Sequence, residues 1–404
     1  MEAPARRASP DGGVDHISGL PDAILGIVIS LLPIKDGART QVLSPRWRYV
    51  WPSVAPLDLD AGISLCDPLR RASVISAILS VHQGPGRRFH FPSIRLADDA
   101  DGHAELDRWF HSPALTNLED LDISYEHWDP GYPLPASALV RFASTLRAAT
   151  FGYWAFPDEI AAAPALSFPL LKRLTLWGVS ISPDAFSGVV SACHALESLL
   201  LWEISFEGCL RVNSKTLRSI GFHARHSPDQ ELVIGEAPRL RTMLTLHLVI
   251  GRETVRVTGA PRLEILGPLS PLNFKLEIAT VDFVGMVPVS LTGPIRTVKV
   301  LALRYSGNIN AVLDVLRCFP CLEKLYVIWQ NQDVHDYWYG PEDAMAFLVP
   351  KNYDKKWVAD QRSLLQVENR ASQDAQFEFR RGFTNYENVA RTHSERRHAS
   401  GVFC

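Results

Sequence analysis

The sequence has little of what marks a secreted, membrane or catalytic chain. Its six cysteines lie scattered at 66, 193, 209, 318, 321 and 404 of 404 residues. Disulfide scaffolds crowd their cysteines into short chains, so free thiols in a reducing compartment are expected. No Asn-x-Ser/Thr acceptor occurs, and the opening MEAPARRASPDGG lacks a signal peptide's apolar core. These features argue against secretion, and a nuclear and/or cytoplasmic location is expected. The longest mainly apolar run, Ala23 to Leu32, is too short to span a bilayer. A net charge of −3 gives no electrostatic case for nucleic acid, which calls for a basic domain or stripe. The G-x-x-x-x-G-K, G-x-S-x-G and H-E-x-x-H patterns are all absent. Nothing implies a cofactor.

What the sequence does have is apolar content, 47% against 21% charged residues, as in folded soluble domains. The most informative stretch runs from Asp15 to Trp51. Pro21 and Asp22 open a helix that stops at Pro33. Leu20, Ile24, Ile27, Val28 and Leu31 form one apolar face, and Leu25, Ile29 and Leu32 a second. A helix apolar on two faces is buried on both. A unit of roughly 40 residues is too small to bury both alone. One face is therefore expected to meet another chain. A second short helix is expected over Lys35–Val42. A third opens at Ser44 as N-cap with Pro45 at the first helical position, and carries Trp47 and Trp51 on one side. Spacing alone is equally met by a three-helix element in the core of a larger domain.

The residue pattern is more specific than the spacing. Leu20-Pro21-Asp22, Leu31-Leu32-Pro33-Ile34-Lys35-Asp36, Arg39-Thr40, Val42-Leu43-Ser44, Arg46-Trp47-Arg48 and Trp51 resemble a plant F-box almost position by position. That resemblance implies binding to the small adaptor subunit of a cullin-based SCF ubiquitin ligase. By position, the implied adaptor contacts are Leu20, Pro21, Ile24, Leu25, Leu31, Leu32, Pro33, Val42, Leu43 and Trp47. Two residues depart from the pattern. Gly37 stands where a helix former is usual, at a propensity cost of roughly 1 kcal/mol. Pro45 stands for a lysine at a helix start that tolerates it.

From Val54 onward an apolar triplet at i, i+3 and i+5 recurs. It reads Val54/Leu57/Leu59, Phe91/Ile94/Leu96, Leu118/Leu121/Ile123, Leu146/Ala149/Phe151, Leu171/Leu174/Leu176 and Leu196/Leu199/Leu201. It returns at Leu217/Ile220/Phe222, Val298/Leu301/Leu303 and Leu322/Leu325/Val327, with partial matches at Leu240 and Leu263. The starts from 91 to 263 step by 21 to 28 residues, within the period of leucine-rich repeats. The expected strand has i+3 inside it and i and i+5 at its flanks. Helices are expected over 69–81, 104–111, 136–144, 183–193 and 309–318. They fade from about 203 to 294, where the repeats look strand-dominated, and 267–294 fits no pattern. An ordinary α/β domain with leucine-rich strands is the competing reading.

The end of the chain resembles the FBD domain of plant F-box proteins. Cys318-Phe319-Pro320-Cys321-Leu322 looks like its entry, followed by Lys351-Asn352-Tyr353, Trp357 to Arg362 and Phe377-Glu378-Phe379. Only Asp354, Lys355 and Lys356 separate the second and third motifs, so the domain looks internally shortened. The expected organisation is a disordered 1–13, an F-box at 14–52, a repeat solenoid at 53–332, a shortened FBD-like region at 333–386 and a disordered tail at 387–404.

Chemical sites are weakly supported. Cys318-x-x-Cys321 lacks the second pair that zinc needs. Cys193-His194 is a poor nucleophile pair, because adjacent helix residues point apart. Arg87-Arg88 and Arg396-Arg397 read as solvated basic clusters in a loop and a tail. The expected fold is therefore α/β: a small N-terminal three-helix F-box followed by an irregular leucine-rich-repeat solenoid. The expected role is that of a non-catalytic substrate-recognition subunit. It docks the SCF adaptor, and through it cullin, and presents a target protein for ubiquitination. The alternative is a leucine-rich-repeat scaffold acting outside the ligase with a degenerate F-box.

Overall fold

In the computed structural model the described residues are 17, 19–60, 68–94, 100–125, 132–159, 166–224, 230–245, 253–271, 275–305, 308–329 and 376–381. The expectations for 1–13, for most of 333–386 and for 387–404 fall outside them.

Three short helices come first: α1 (Asp22–Ser30), α2 (Ile34–Arg39) and α3 (Trp47–Ser53). A 3₁₀ turn, Thr40–Val42, extends α2. Pro21 is the N-cap of α1 and not its first residue. The third helix begins two residues later than expected, with Arg46 as N-cap and no side-chain cap. Ser44 contributes through its carbonyl instead, accepting from the N–H groups of Trp47 and Arg48.

A twelve-stranded sheet follows. Its strands are β1 (Leu57–Asp60), β2 (Gly86–Ile94), β3 (Asp120–Tyr125), β4 (Ala148–Gly152), β5 (Arg173–Trp177) and β6 (Ser198–Ile204). They continue as β8 (Ser219–Ala224), β10 (Thr242–Thr245), β12 (Ile265–Leu269), β16 (Val300–Tyr305), β17 (Lys324–Trp329) and β18 (Gln376–Arg381). Every neighbouring pair is parallel. An all-parallel sheet taken strictly in chain order is what stacked repeats produce, each covering the apolar face of the last. The solenoid reading therefore stands over the ordinary α/β domain.

The register explains the sequence triplet. One buried row runs Phe89, Leu121, Ala149, Leu174, Leu199, Ile220, Met243, Leu266, Leu301, Leu325. A second runs Phe91, Ile123, Phe151, Leu176, Leu201, Phe222, Thr245. These are the i+3 and i+5 positions, and both lie inside the strand on one face, as its two-residue period requires. Only the i residue, such as Leu118 or Leu146, precedes the strand, so the expected placement of i+5 at a flank is corrected. Each fully buried leucine contributes about 1.5–3 kcal/mol.

Two triplets are also corrected. Phe89 and Phe91 occupy the rows in β2, not Ile94 and Leu96, and Leu59 of β1 pairs with Phe89. The i position of β2 is therefore Gly86, whose lack of a side chain hid the repeat. The partial matches have causes too. Thr245 keeps its row by donating its hydroxyl to the Pro268 carbonyl at 2.8 Å. A register shift in β12 carries Leu269, not Pro268, opposite Leu303.

The return segments are helical at both ends of the chain: α4 (Pro68–Val81), α5 (Ala100–Phe110), α6 (Ala136–Val140), α7 (Pro183–Ala192) and α8 (Ile309–Arg317). Side-chain caps start two of them, Ser182 accepting from Ala185 N–H and Asn308 from Asn310 and Ala311 N–H. Between α7 and α8 the returns are strands. Parallel β7 (Cys209–Val212), β9 (Glu231–Glu236), β11 (Thr254–Gly259) and β13 (Lys275–Ile278) form a second sheet. Antiparallel β14 (Val281–Val284) and β15 (Val287–Leu291) close it, which accounts for the unparsed stretch. Leu210, Val212, Leu232, Ile234, Val255 and Val257 of this sheet share one core with the main sheet.

Candidate functional site

The first unit to present an unmatched surface is the three-helix element. Leu25 and Ile29 of α1 turn inward and join Ile34, Trp47, Val50 and Trp51 in the core. Gly26 and Gly37 permit this close fit. A Cβ on Gly26 would lie 3.1 Å from the Val54 carbonyl, and one on Gly37 would lie 3.2 Å from Trp51 Nε1. The departure at Gly37 thus trades helix propensity for room against the tryptophan. Arg46 of the α3 cap fastens the start of α1: its Nε donates to Asp22 Oδ1 at 2.6 Å, and its Nη2 donates to the Leu20 carbonyl.

The other side of α1 stays open. Ile24, Ile27, Val28 and Leu31 follow helical spacing and are all exposed, Leu31 at 74%. Of the two apolar faces expected of α1, one is covered within the chain and the other is open, and Leu32 of the covered face is itself 40% exposed. Among the residues implied by the motif, Pro21, Ile24, Leu31, Leu32, Pro33, Val42 and Leu43 are exposed, Val42 at 83%. Leu20 is half-buried against the core. Leu25 and Trp47 are at 0% and 8% exposure and pack inside the unit. Ile27 and Val28 were missing from the motif-based set, although their spacing with Ile24 and Leu31 marks them as members of the same stripe.

The unit is anchored to the first repeat. Gln83 and Gly84 donate their N–H groups to the Pro52 carbonyl. Arg87 Nε donates to Asp58 Oδ1 at 2.8 Å, and Nη2 reaches the Ser30 carbonyl at 3.5 Å. The hydrogen bond with Asp58 pushes the Arg87 guanidinium pKa upward. His82 packs edge-on against Trp51, with ring centroids 5.5 Å apart. Arg87 and Arg88 are therefore strand residues, with Arg88 paired to Asp120 at 3.3 Å, and not a solvated loop cluster. Arg396-Arg397 lies outside the described residues.

Cys193 and Cys318 show no activation. Cys193 donates to the Val189 carbonyl at 3.1 Å, and burial pushes its pKa up to about 12. Cys318 donates to the Asp314 carbonyl at 3.5 Å and is raised to about 11, chiefly by burial. A nucleophilic cysteine needs the opposite shift. Among the described residues no group of three or more His, Cys, Asp or Glu side chains could hold a metal. No helix among them is long and apolar enough to cross a membrane.

Comparison with known proteins converges on one family. Residues 106–327, more than half the chain, match the model described as FBD-associated F-box protein At5g56370, LRR repeats. The chain is similar to the putative F-box/LRR-repeat protein At3g49150 of Arabidopsis thaliana, 30% identical over 56% of this chain and 37% of the relative. It is 29% identical to the putative F-box/FBD/LRR-repeat protein At1g66290 of the same plant, over 58% of this chain and 51% of the relative. A longer match, to the F-box/LRR-repeat protein At5g35995, is 28% identical over 81% of this chain and 71% of the relative. Over the first of these relatives the chain thus spans about a third to a half of their length.

Proposed function

Because this chain belongs to the FBD-associated F-box family with leucine-rich repeats, we propose that it is the substrate-recognition subunit of an SCF-type ubiquitin ligase. The three-helix unit docks the adaptor subunit and, through it, cullin. The repeats hold a target protein. The chain itself carries out no bond chemistry in this reading. It raises the effective concentration of the target near a ubiquitin-charged enzyme, which is catalysis by proximity.

The observation that carries the reading is the open apolar stripe of α1, Ile24, Ile27, Val28 and Leu31, on a unit whose opposite face is already packed. Apolar side chains presented as a helical stripe suit a partner groove or helix. The test is co-purification of the full chain with the adaptor from cells expressing both. Val28→Glu together with Leu31→Glu leaves the core untouched and is expected to reduce recovery of the adaptor at least about tenfold. Unchanged recovery with this pair, with the fold intact by circular dichroism, rejects the α1 stripe as the docking face.

A further inference from the structure

At the start of the repeat strands, the residue before each strand forms a continuous backbone ladder. Lys172 N–H donates to the Arg147 carbonyl, Glu197 to Lys172, Arg218 to Glu197 and Arg241 to Arg218, at 2.8–2.9 Å. The ladder brings their side chains side by side along one rim. Arg147, Lys172, Arg173 and Arg218 line a depression of about 460 Å³ together with Ser198, Ser219 and one carboxylate, Glu197.

The charge there is unbalanced. Lys172 and Arg218 share Glu197, at 3.1 and 3.7 Å. Arg147 turns to Glu119 at 3.6 Å. Arg173 has no ion-pair partner among the described residues, and exposed Arg241 extends the rim in the next repeat. A cationic depression on a chain of net charge −3 is not explained by overall composition.

We propose that this depression receives a carboxylate-rich segment of the target protein, an inference that rests on the repeats being the target-holding part. Its size sets the segment length. From β4 to β10 the rim crosses four strand spacings, about 19 Å, which an extended peptide covers in about six residues. Its ends argue against nucleic acid. Beyond Arg147 the rim continues to Glu119 and Asp120, which are already paired with Arg147 and Arg88, and beyond Arg241 to Glu264, so the excess positive charge is confined to a short stretch that a long phosphate backbone would overrun. The serine hydroxyls of Ser198 and Ser219 add donors for carboxylate oxygens. Each exposed cation contributes little alone, and the set acts together and is screened by salt.

The test is fluorescence anisotropy of a labelled hexaglutamate peptide against the full-length chain at low salt. Arg173→Glu with Arg218→Glu is expected to weaken binding at least about tenfold. Glu197→Gln removes the one carboxylate in the depression and is expected to tighten it. Arg317→Glu, on α8 outside the depression, is expected to leave it unchanged. Equal weakening by Arg317→Glu, no gain from Glu197→Gln, or equally effective competition by oligothymidylate each overturns the inference. Adaptor recovery is measured on the same samples. Its failure with the wild-type chain would reject the ligase reading without touching the peptide result.

Discussion

At the scale of single residues, the close approach of backbones decides what the chain tolerates. A methyl group on Gly86 would lie 2.7 Å from the Ala114 carbonyl oxygen and 2.8 Å from Leu115 Cα. Neither neighbour is a flexible side-chain end, so the strand itself must shift. Overpacking of this kind costs about 1–3 kcal/mol. Gly86→Ala is accordingly expected to lower stability by that amount in urea denaturation, with an unchanged slope. A neutral result would show that β2 can slide along its neighbours. The same residue hides the second repeat in the sequence, because no side chain marks its i position. The apolar triplet was legible wherever a side chain filled the i position, and illegible where the fold needed none there. Thr245 is a parallel case. A polar residue in an apolar row looks like the end of a repeat until its hydroxyl finds the Pro268 carbonyl.

At the scale of elements, the joint between α3, α4 and the first repeat holds a titratable group. His82 follows α4 and is 3% exposed. Burial lowers its pKa from the ordinary 6.5, against the nearby backbone groups of Gly84, Trp51 and Ala55, which act to raise it. The folded chain therefore keeps the ring neutral at a pH where the unfolded chain takes up a proton. The stability this provides is complete above pH 6.5 and declines as pH falls below it, down through the depressed folded value. His82→Gln is expected to flatten the pH dependence of unfolding free energy between about pH 7.5 and 5 relative to wild type. Parallel pH profiles for the two proteins would show that another group governs the joint. Sequence patterning located the elements that meet here, and it also showed that α1 carries two apolar faces. Which face would be covered depended on contacts with Val54 and Trp51, far along the chain. The same limit applied to the second sheet. Its strands replace helices between Ala192 and Ile309, and only pairing with their neighbours distinguishes such short apolar segments from loops.

At the scale of the whole molecule, a solenoid is only as closed as its ends, because each repeat touches its neighbours alone. The three-helix unit abuts β1 at one end, where Arg87 ties Ser30 to Asp58. At the other end β17 pairs on one side with β16 and on the other with β18, in register from Lys324↔Gln376 to Trp329↔Arg381. The edge that Lys324–Trp329 would otherwise offer is thus occupied by Gln376–Arg381. An unpaired parallel edge over an apolar face invites association with other chains. Ending the chain after Trp329 is expected to expose it. Amide exchange should then accelerate in β17, in those N–H groups directed at β18, while β3 to β6 exchange as before. The truncated chain should also self-associate in sedimentation velocity where the full chain does not. If β17 exchanges at the same rate in both, β18 contributes nothing to closing the solenoid, and the cap must be sought elsewhere in the chain.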